Sequence, residues 1–263
     1  MKRKSLFYLQ KKKNYQKLTC LTAYTKSIAK IIDNHVDLIL IGDSLGTTIY
    51  GMKNTQGVTM DMMMHHGKTV FDSSKKAFTV IDMPFNSYRN KREALANAKK
   101  LLRYTKCQSI KIETDLKNLD IVKHLKKNGI TVISHIGVTP QKYKDFKKIR
   151  SIGRNKKENE MLLNLAVELE NAGSSMIVLE CIKENVAKEI TKRLNIPTIG
   201  IGASLECDGQ ILVTNDILNT DNTEIPPRFV ESYINISKVI EKAVKNFTNE
   251  VINKKFPKNK NTY

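Results

Sequence analysis

Polar and ionisable side chains stand at or near the ends of five successive apolar runs in the 263-residue sequence. In chain order they are Asp43, Ser44, Asp82, Lys111, Glu113, His135 and Glu180. Carboxylates, an ammonium group and an imidazole are the groups that proteins use for acid–base catalysis and for binding hard cations. Runs that end in such side chains therefore indicate a catalytic site rather than a purely structural sheet.

The three acids Asp43, Asp82 and Glu113 have a specific chemical implication. Three carboxylates close to one point repel one another and raise each other's pKa unless a cation lies between them. No Cys or His stands near them in metal-binding spacing, so these oxygen ligands suit Mg²⁺ better than Zn²⁺. A substrate with adjacent carboxylate and keto oxygens could chelate such a metal, which would stabilise an enolate as a Lewis acid. Glu180 would then be free to act as a base.

Each of these residues also has a simpler structural interpretation. Asp43 could cap a helix, Asp82 could belong to a turn before Pro84, and Glu113 could favour the first turn of a helix through its dipole. His135 could be a hydrogen-bonded core residue. The structural interpretation requires an ionisable residue to stand at the end of each successive strand by coincidence. One catalytic site would account for all of these residues together.

The elements that would position these residues are short apolar runs alternating with segments of helical spacing. The runs cover residues 18–23, 36–42, 78–84, 109–113, 131–137, 175–180, 197–202 and 210–216. Helical spacing follows several of them, with a capping-box pattern at Asn90 and Glu93 and with Gly129 and Gly173 placed just past helix ends. The alternation predicts an α/β protein with a (β/α)₈ TIM barrel, and a doubly wound open sheet is the alternative. In a barrel the carboxyl ends of the strands build the active site.

The rest of the chain is expected to belong to the same unit. No Pro-, Ser- or Gly-rich linker divides it, so residues 1–263 are predicted to form a single domain with an N-terminal helical extension. Apolar residues between Phe229 and Val251 predict a C-terminal helix that packs on the barrel or on a neighbouring subunit. The basic N-terminus has too few apolar residues for a signal peptide or a membrane span, which predicts a cytoplasmic protein without a membrane partner.

The basic composition raises a different function class. The formal net charge of +19 could indicate a nucleic-acid-binding protein. The basic residues are spread along the chain without interleaved aromatic residues and Trp is absent, so no nucleic-acid partner is expected. The four cysteines are scattered without a C-x-x-C pair, which indicates neither a zinc site nor a disulfide framework.

Seven short motifs then carry a resemblance over nearly the whole chain. They are GDSLG (42–46), DMPF (82–85), KIE (111–113), HIGVTPQ (135–141), VLEC (178–181), IGIGA (199–203) and DGQILV (208–213). In this order and spacing they resemble the ketopantoate (3-methyl-2-oxobutanoate) hydroxymethyltransferase family. The resemblance implies a (β/α)₈ barrel enzyme that transfers a hydroxymethyl group from 5,10-methylenetetrahydrofolate to 3-methyl-2-oxobutanoate through a Mg²⁺-stabilised enolate. The product, 2-dehydropantoate, would serve pantothenate synthesis.

The resemblance also implies roles for individual residues. Asp43 and Asp82 would bind Mg²⁺, with Glu113 as a further ligand directly or through water. The keto acid would contact Asp43, Ser44, Asp82, Lys111 and His135. Glu180 would be the proton acceptor. A homo-oligomer, commonly a decamer, is a further implication.

Two other functions stay open at this point. Another Mg²⁺-dependent enolate enzyme on the same barrel, such as a phosphoenolpyruvate mutase or a C–C lyase, would carry a K-K-C-G-H-like loop, which this sequence lacks. Gly200 and Gly202 after the seventh run could still cradle a phosphate. The chain also departs from its relatives in residues 144–154 and 218–229 and at Ser204, where relatives have more glycine.

Overall fold

The structure is a computed structural model that describes residues 3–145, 150–221 and 226–263. The chain divides into two compact units, Met1–Val213 and Thr214–Tyr263. That residues 1–263 form one domain stays a prediction. The divergent segments 144–154 and 218–229 lie partly outside the described residues.

Eight parallel strands close into a barrel in the first unit, in the order β1 to β8. They are Leu18–Thr22 (β1), Leu38–Ile41 (β2), Phe78–Asp82 (β3), Ser109–Glu113 (β4), Val132–Gly137 (β5), Met176–Glu180 (β6), Thr198–Ile201 (β7) and Gly209–Leu212 (β8). Parallel strands covered on both faces are expected to be almost continuously apolar, as the sequence runs are. The predicted (β/α)₈ barrel is confirmed.

In this unit one helix precedes β1 and the other helices lie between successive strands. They are Leu6–Lys11 (α1), Lys26–Ile32 (α2), Leu45–Thr48 (α3), Met60–Ser73 (α4), Lys91–Thr105 (α5), Leu119–Lys127 (α6), Lys156–Asn171 (α7) and Glu184–Arg193 (α8). The predicted cap of α5 is confirmed, because Asn90 Oδ1 accepts a hydrogen bond from Glu93 N at 2.9 Å. Gly129 and Gly173 follow α6 and α7 with φ of +77° and +101°, the left-handed conformation expected of a glycine at that place.

The barrel interior explains where the polar side chains point. Alternate strand residues and Leu9 of α1 form a buried apolar cluster, which comprises Leu9, Leu18, Cys20, Leu38, Leu40, Phe78, Val80, Ile133, Met176, Val178, Ile199 and Ile211. Asp82, His135 and Glu180 each lie two residues beyond a member of this cluster on the same strand. Because side chains alternate along a strand, all three point into the barrel at its carboxyl end.

The opposite end of the barrel is filled by the N-terminal extension. Leu9 is fully buried among the interior residues, and Lys13 Nζ lies 2.8 Å from Asp208 Oδ2 just before β8. The predicted helical extension therefore acts as a plug for the amino ends of the strands.

The second unit contains α9 (Thr214–Leu218) and α10 (Ile236–Ile252). The eighth run was predicted to stay extended to residue 216, and this is wrong. β8 ends at Leu212, and α9 begins at Thr214. Asp216 lies in the first turn of α9, where the helix dipole favours a carboxylate. The predicted C-terminal helix begins at Ile236 rather than near Phe229, because Asn235 Oδ1 caps it by accepting from Lys238 N at 3.1 Å.

The surface of α10 is unusually apolar. More than two-fifths of each of six large apolar residues is exposed, namely Val239, Ile240, Val244, Phe247, Val251 and Ile252. What α10 packs against stays a prediction. Among the described residues, no helix is both long and apolar enough to cross a membrane.

Candidate active site

The seven predicted site residues all lie at or just beyond the carboxyl ends of β2 to β6. Six have buried or nearly buried side chains, and Ser44 is half-buried. Strand pairing explains how they come together: Asp82 is in register with Lys111, and Glu113 with His135. Neighbouring parallel strands therefore present these side chains side by side at one end of the barrel.

A row of charged and polar groups crosses this end from β3 to β6. Lys111 Nζ lies 3.0 Å from Asp82 Oδ1 and 3.4 Å from His135 Nδ1. His135 Nε2 lies 3.1 Å from Glu180 Oε2, without the alignment of a hydrogen bond in this conformation. Because an ammonium group only donates, Nδ1 facing Lys111 acts as an acceptor. The neutral ring therefore carries its proton on Nε2, on the side of Glu180.

Asp43 lies in the turn after β2, close to Asp82. Its backbone N–H donates to Asp82 Oδ2 at 3.1 Å, and its own Oδ2 accepts from Gln141 Nε2 at 2.7 Å. The next residue, Ser44, occupies the N-cap position of α3, but its side chain makes no capping hydrogen bond. Its hydroxyl lies 2.6 Å from the buried Tyr24 hydroxyl. Neither residue is thus explained as a helix cap.

Glu113 holds an unsatisfied oxygen inside the protein. Its Oε1 accepts from Gln141 N at 3.0 Å, whereas its buried Oε2 has no hydrogen-bond partner among the described residues. A buried carboxylate oxygen without a partner is costly unless a cation or a ligand satisfies it. This oxygen therefore indicates a ligand position beside Glu113.

Gly137 at the end of β5 allows the close approach that places Glu180. A Cβ at this position would lie 2.2 Å from the Glu180 carbonyl oxygen, and the residue has φ of +99°. Val138 N then donates to the same carbonyl at 2.9 Å. Only glycine fits here, so this position fixes the turn that carries Glu180.

The carboxyl groups of the site share one ammonium group, and their pKa values reflect it. Burial, reinforced by the charge of Asp43, raises the pKa of Asp82 to about 7 and the pKa of Glu113 well above its usual range. Burial also raises the pKa of Asp43. For Lys111, burial alone would lower the pKa, but these carboxylates outweigh it and the pKa is raised. The site is thus poor in positive charge.

His135 behaves in the opposite way. Burial and the neighbouring Lys111 ammonium lower its pKa, although Glu180 acts against them. The imidazole is therefore neutral at pH 7, in agreement with its acceptor role toward Lys111.

The donor set fits a hard divalent cation. It consists of carboxylate oxygens, and two of them, Asp82 Oδ1 and Glu113 Oε2, are buried without a hydrogen-bond partner among the described residues, although Lys111 Nζ lies 3.0 Å from the former. Burial raises the pKa values of both acids, and a cation beside them would favour their ionised forms. Within the described ranges, no three His, Cys, Asp or Glu side chains converge as a ready-made metal site. Mg²⁺ is commonly held by only one or two carboxylates together with waters and substrate, so two acids such as Asp43 and Asp82 would be enough to hold it.

Sequence reasoning missed two members of the site, Gln141 and Tyr88. Gln141 ends the HIGVTPQ motif and lies in the 3₁₀ turn Pro140–Lys142, and Tyr88 follows the DMPF motif. Tyr88 OH donates a short hydrogen bond to Gln141 Oε1 and accepts from Glu113 N at 3.3 Å. The available clue was that Gln141 belongs to one of the seven motifs and Tyr88 follows another by three residues, both at barrel loops.

A cavity of about 280 Å³ opens beside Glu113 and Gln141. Its walls include aromatic side chains and cations from three barrel loops, among them Phe85, Tyr88, Arg89, Lys117 and Lys142.

The space at Gly200, by contrast, is filled. A Cβ built on Gly200 would lie about 3 Å from the side-chain amide of Gln210 and from the thiol of Cys207. Gly200, which lies within β7, therefore offers no open cradle for a phosphate.

All four thiols are free, and their surroundings make them unreactive. Burial raises the pKa of Cys107 to about 11 and, with the Glu180 charge, the pKa of Cys181 to about 12. The pKa values of Cys20 and Cys207 are also raised by burial. At pH 8 we expect the native protein to be alkylated by iodoacetamide at least about 100-fold more slowly than free cysteine.

Intact-mass spectrometry over time measures this rate, and the protein in guanidinium chloride, which should gain four adducts quickly, is the control. Rapid labelling of any single cysteine in the native state would contradict the expectation.

Ionisable side chains that converge at the carboxyl end of a closed (β/α)₈ barrel define an enzyme of the TIM-barrel class. The sequence model of ketopantoate hydroxymethyltransferase matches residues 3–259. The 3-methyl-2-oxobutanoate hydroxymethyltransferase of Pelagibacter ubique is 48% identical over 263 residues, covering 100% of both chains. That of Rhizobium etli is 42% identical over 247 residues, covering 94% of this chain and 90% of its own. The chain belongs to the ketopantoate hydroxymethyltransferase family, a family of transferases.

The fold has relatives outside this family. A phosphonopyruvate hydrolase solved with oxalate and Mg²⁺ superposes with a TM-score of 0.67 at 9% identity, covering 97% of this chain and 92% of its own. At that identity the likeness establishes the shared barrel.

Proposed function

We propose that this enzyme transfers a hydroxymethyl group from 5,10-methylenetetrahydrofolate to 3-methyl-2-oxobutanoate, giving 2-dehydropantoate for pantothenate synthesis. The observation that carries the proposal is the row Asp82–Lys111–His135–Glu180 at the barrel mouth, with contacts of 3.0 to 3.4 Å, in a chain that matches the family from end to end. This row combines a charged anchor for an acid substrate with a base.

Asp43 and Asp82 would hold Mg²⁺, and Glu113 would complete its surroundings directly or through water. The unpartnered Oε2 of Glu113 and the raised pKa of Asp82 support this assignment. When bound, the cation supplies Lewis-acid stabilisation of negative charge on the keto oxygen.

Lys111, Ser44 and His135 would surround the keto acid. Lys111 is a permanent cation in the site, so it would attract the substrate carboxylate. Ser44 offers a half-buried hydroxyl oriented by Tyr24. The neutral His135 adds a polar wall without introducing a second positive charge.

Glu180 would remove the proton from C3 of the keto acid. Its Oε2 faces the Nε2 side of His135, so a hydrogen bond can hold the carboxylate in place while its other oxygen accepts the proton. The carbon nucleophile at C3 then forms a C–C bond to the methylene carbon of the folate as the first of its two C–N bonds breaks. Water replaces the second C–N bond with a C–O bond, and tetrahydrofolate leaves with the C3 proton and one water proton on its two nitrogens.

The donor would enter from the cavity beside Glu113. Aromatic side chains at Phe85 and Tyr88 offer a surface for a flat ring, and Lys117 offers positive charge for a glutamate carboxylate, whereas Lys142 is already paired with Asp115 at 2.8 Å. The cavity shares Glu113 and Gln141 with the carboxylate cluster, so a ligand there would adjoin the keto acid.

The first half of the reaction can be tested without the folate. In D₂O with Mg²⁺ we expect the protein to exchange the C3 proton of 3-methyl-2-oxobutanoate, because Glu180 can remove and return it. Proton NMR follows the loss of that resonance, and EDTA should stop it. The assigned base would be contradicted if the C3 resonance persisted with folded, metal-loaded protein. The resonance would have to persist both in the absence and in the presence of the folate.

Other expectations stay predictions. A mutase or C–C lyase on the same barrel would require a different substrate, and the exchange assay on a phosphate-free keto acid separates it from the transferase. A nucleic-acid-binding role would require a strongly salt-dependent duplex affinity. The cytoplasmic location and the homo-oligomer, a decamer by resemblance, also stay predictions.

A further inference from the structure

Gln141 is the most densely hydrogen-bonded side chain at the barrel mouth. It is 3% exposed, and its Nε2 donates to Asp43 Oδ2 at 2.7 Å and to the Met83 carbonyl at 3.0 Å. Its Oε1 accepts from Tyr88 OH. Both amide hydrogens and the amide oxygen are therefore used inside the protein.

This pattern fixes the orientation of the amide. If the amide were turned over, its oxygen would face the Met83 carbonyl and the Asp43 carboxylate, which are both acceptors, so that orientation is excluded electrostatically. The Tyr88 hydroxyl stabilises the observed orientation by donating to Oε1. Tyr88 thus acts on Asp43 through Gln141.

The backbone of Gln141 reaches a second carboxylate. Its N–H donates to Glu113 Oε1 at 3.0 Å, and its carbonyl accepts from Gln56 Nε2 at 2.9 Å. One residue from the loop after β5 thereby contacts acids at the ends of two other strands. Among the described residues, no hydrogen bond reaches Asp43 Oδ1 or Glu113 Oε2, which are the opposite oxygens of the same two carboxylates.

A neutral donor is well suited to this task. A lysine or arginine here would compete with a cation for the carboxylates, whereas an amide orients them and leaves their negative charge intact. Hydrogen-bond partners of metal-binding carboxylates commonly affect metal affinity by about 10- to 100-fold.

We propose that Gln141, oriented by the Tyr88 hydroxyl, is a positioning residue that binds one oxygen of Asp43 and one of Glu113 and so presents their opposite oxygens to a divalent cation. The consequence for the keto acid rests on the proposed function. The consequence for cation affinity depends only on the two carboxylates.

Gln141→Met keeps the length of the side chain and removes the amide, and Tyr88→Phe removes only the hydroxyl that orients it. With Mn²⁺ as the probe, observed by electron paramagnetic resonance, we expect Gln141→Met to raise the dissociation constant by about 10-fold or more. Tyr88→Phe should raise it by a smaller factor, about threefold or more. In turnover, KM for the keto acid should rise more than kcat falls.

Matched controls separate positioning from general damage. Gln108→Met removes an amide that bonds Lys4 O and Thr79 N at the other end of the barrel, and Tyr104→Phe removes an exposed hydroxyl. Both should leave Mn²⁺ affinity unchanged. Unfolding midpoints of all four variants show whether each is folded, and if Gln141→Met does not fold, Tyr88→Phe decides.

The proposal would be overturned if Gln141→Met or Tyr88→Phe folded and bound Mn²⁺ as tightly as the control variants do. This outcome differs from failure of the proposed function. In that case, the unaltered protein would bind Mn²⁺ and the two variants would bind it less tightly, yet no protein would exchange the C3 proton.

Discussion

Glu180→Gln is expected to reduce turnover by about 10²- to 10⁴-fold, the range that a general base contributes. The amide matches the carboxylate in size and can remain beside His135, but it cannot take a proton. The affinities for Mn²⁺ and for the keto acid should change little, because Glu180 is not among the proposed metal ligands. Steady-state product formation and C3 proton exchange should fall together.

The matched control is Glu206→Gln, since Glu206 is exposed and its side chain pairs with Lys188 at 3.3 Å. It should keep the activity of the unaltered enzyme. If Glu180→Gln exchanged the C3 proton at the rate of that control, another group would have to be the base.

Asp82→Asn is expected to abolish activity and yet to stabilise the metal-free protein at pH 8. The pKa of Asp82 is raised by burial from an ordinary value of 3.8 to about 7, so the folded state binds this proton more tightly than the unfolded chain does. The contribution of Asp82 to stability is therefore fully present below about pH 4 and is lost as the pH rises through 7. A neutral amide avoids that loss, with a gain in unfolding free energy of about 1–3 kcal/mol at pH 8.

At pH 5 Asp82 is protonated in the folded state but ionised in the unfolded chain, so the gain should be smaller than at pH 8 and should disappear only below about pH 4. Denaturant unfolding of EDTA-treated protein at the two pH values measures the difference. Mn²⁺ affinity should fall by more than about 100-fold, because the substitution removes a proposed ligand itself rather than a partner of one. The quantity to compare is the unfolding free energy of Asp82→Asn minus that of the unaltered protein. If this difference were smaller at pH 8 than at pH 5, the assigned electrostatics would be contradicted.

Lys111→Met is the informative opposite of Asp82→Asn. It removes the ammonium group 3.0 Å from Asp82 and leaves buried carboxylates without it, which should destabilise the metal-free protein. The opposite signs of the two substitutions follow from a site that is poor in positive charge. Such a site trades stability for function.

The fold and the residues on the strands could be predicted from the sequence because both depend on local patterns. Apolar runs gave all eight strands, and alternation along a strand places Asp82, His135 and Glu180 on the inner face. The convergence of the strand ends then follows from the barrel itself. The assigned roles of these residues stay predictions.

The role of Gln141 could not be predicted in this way. Its contacts join the loop after β5 to Asp43, Glu113 and Tyr88, which are 98, 28 and 53 residues away in sequence. No periodicity links these positions, because the hydrogen bonds depend on how three loops meet. The start of α10 was missed for a related reason: apolar spacing continues upstream to Phe229, and only the cap at Asn235 shows where the helix begins.

The most direct test of the central claim is proton NMR of the purified protein with Mg²⁺, 3-methyl-2-oxobutanoate and 5,10-methylenetetrahydrofolate. We expect a new hydroxymethyl resonance to grow as the C3 proton resonance disappears, and we expect EDTA to abolish both changes and excess Mg²⁺ to restore them. Folded, metal-loaded protein that produced neither change would contradict the assignment of this site as a hydroxymethyltransferase centre.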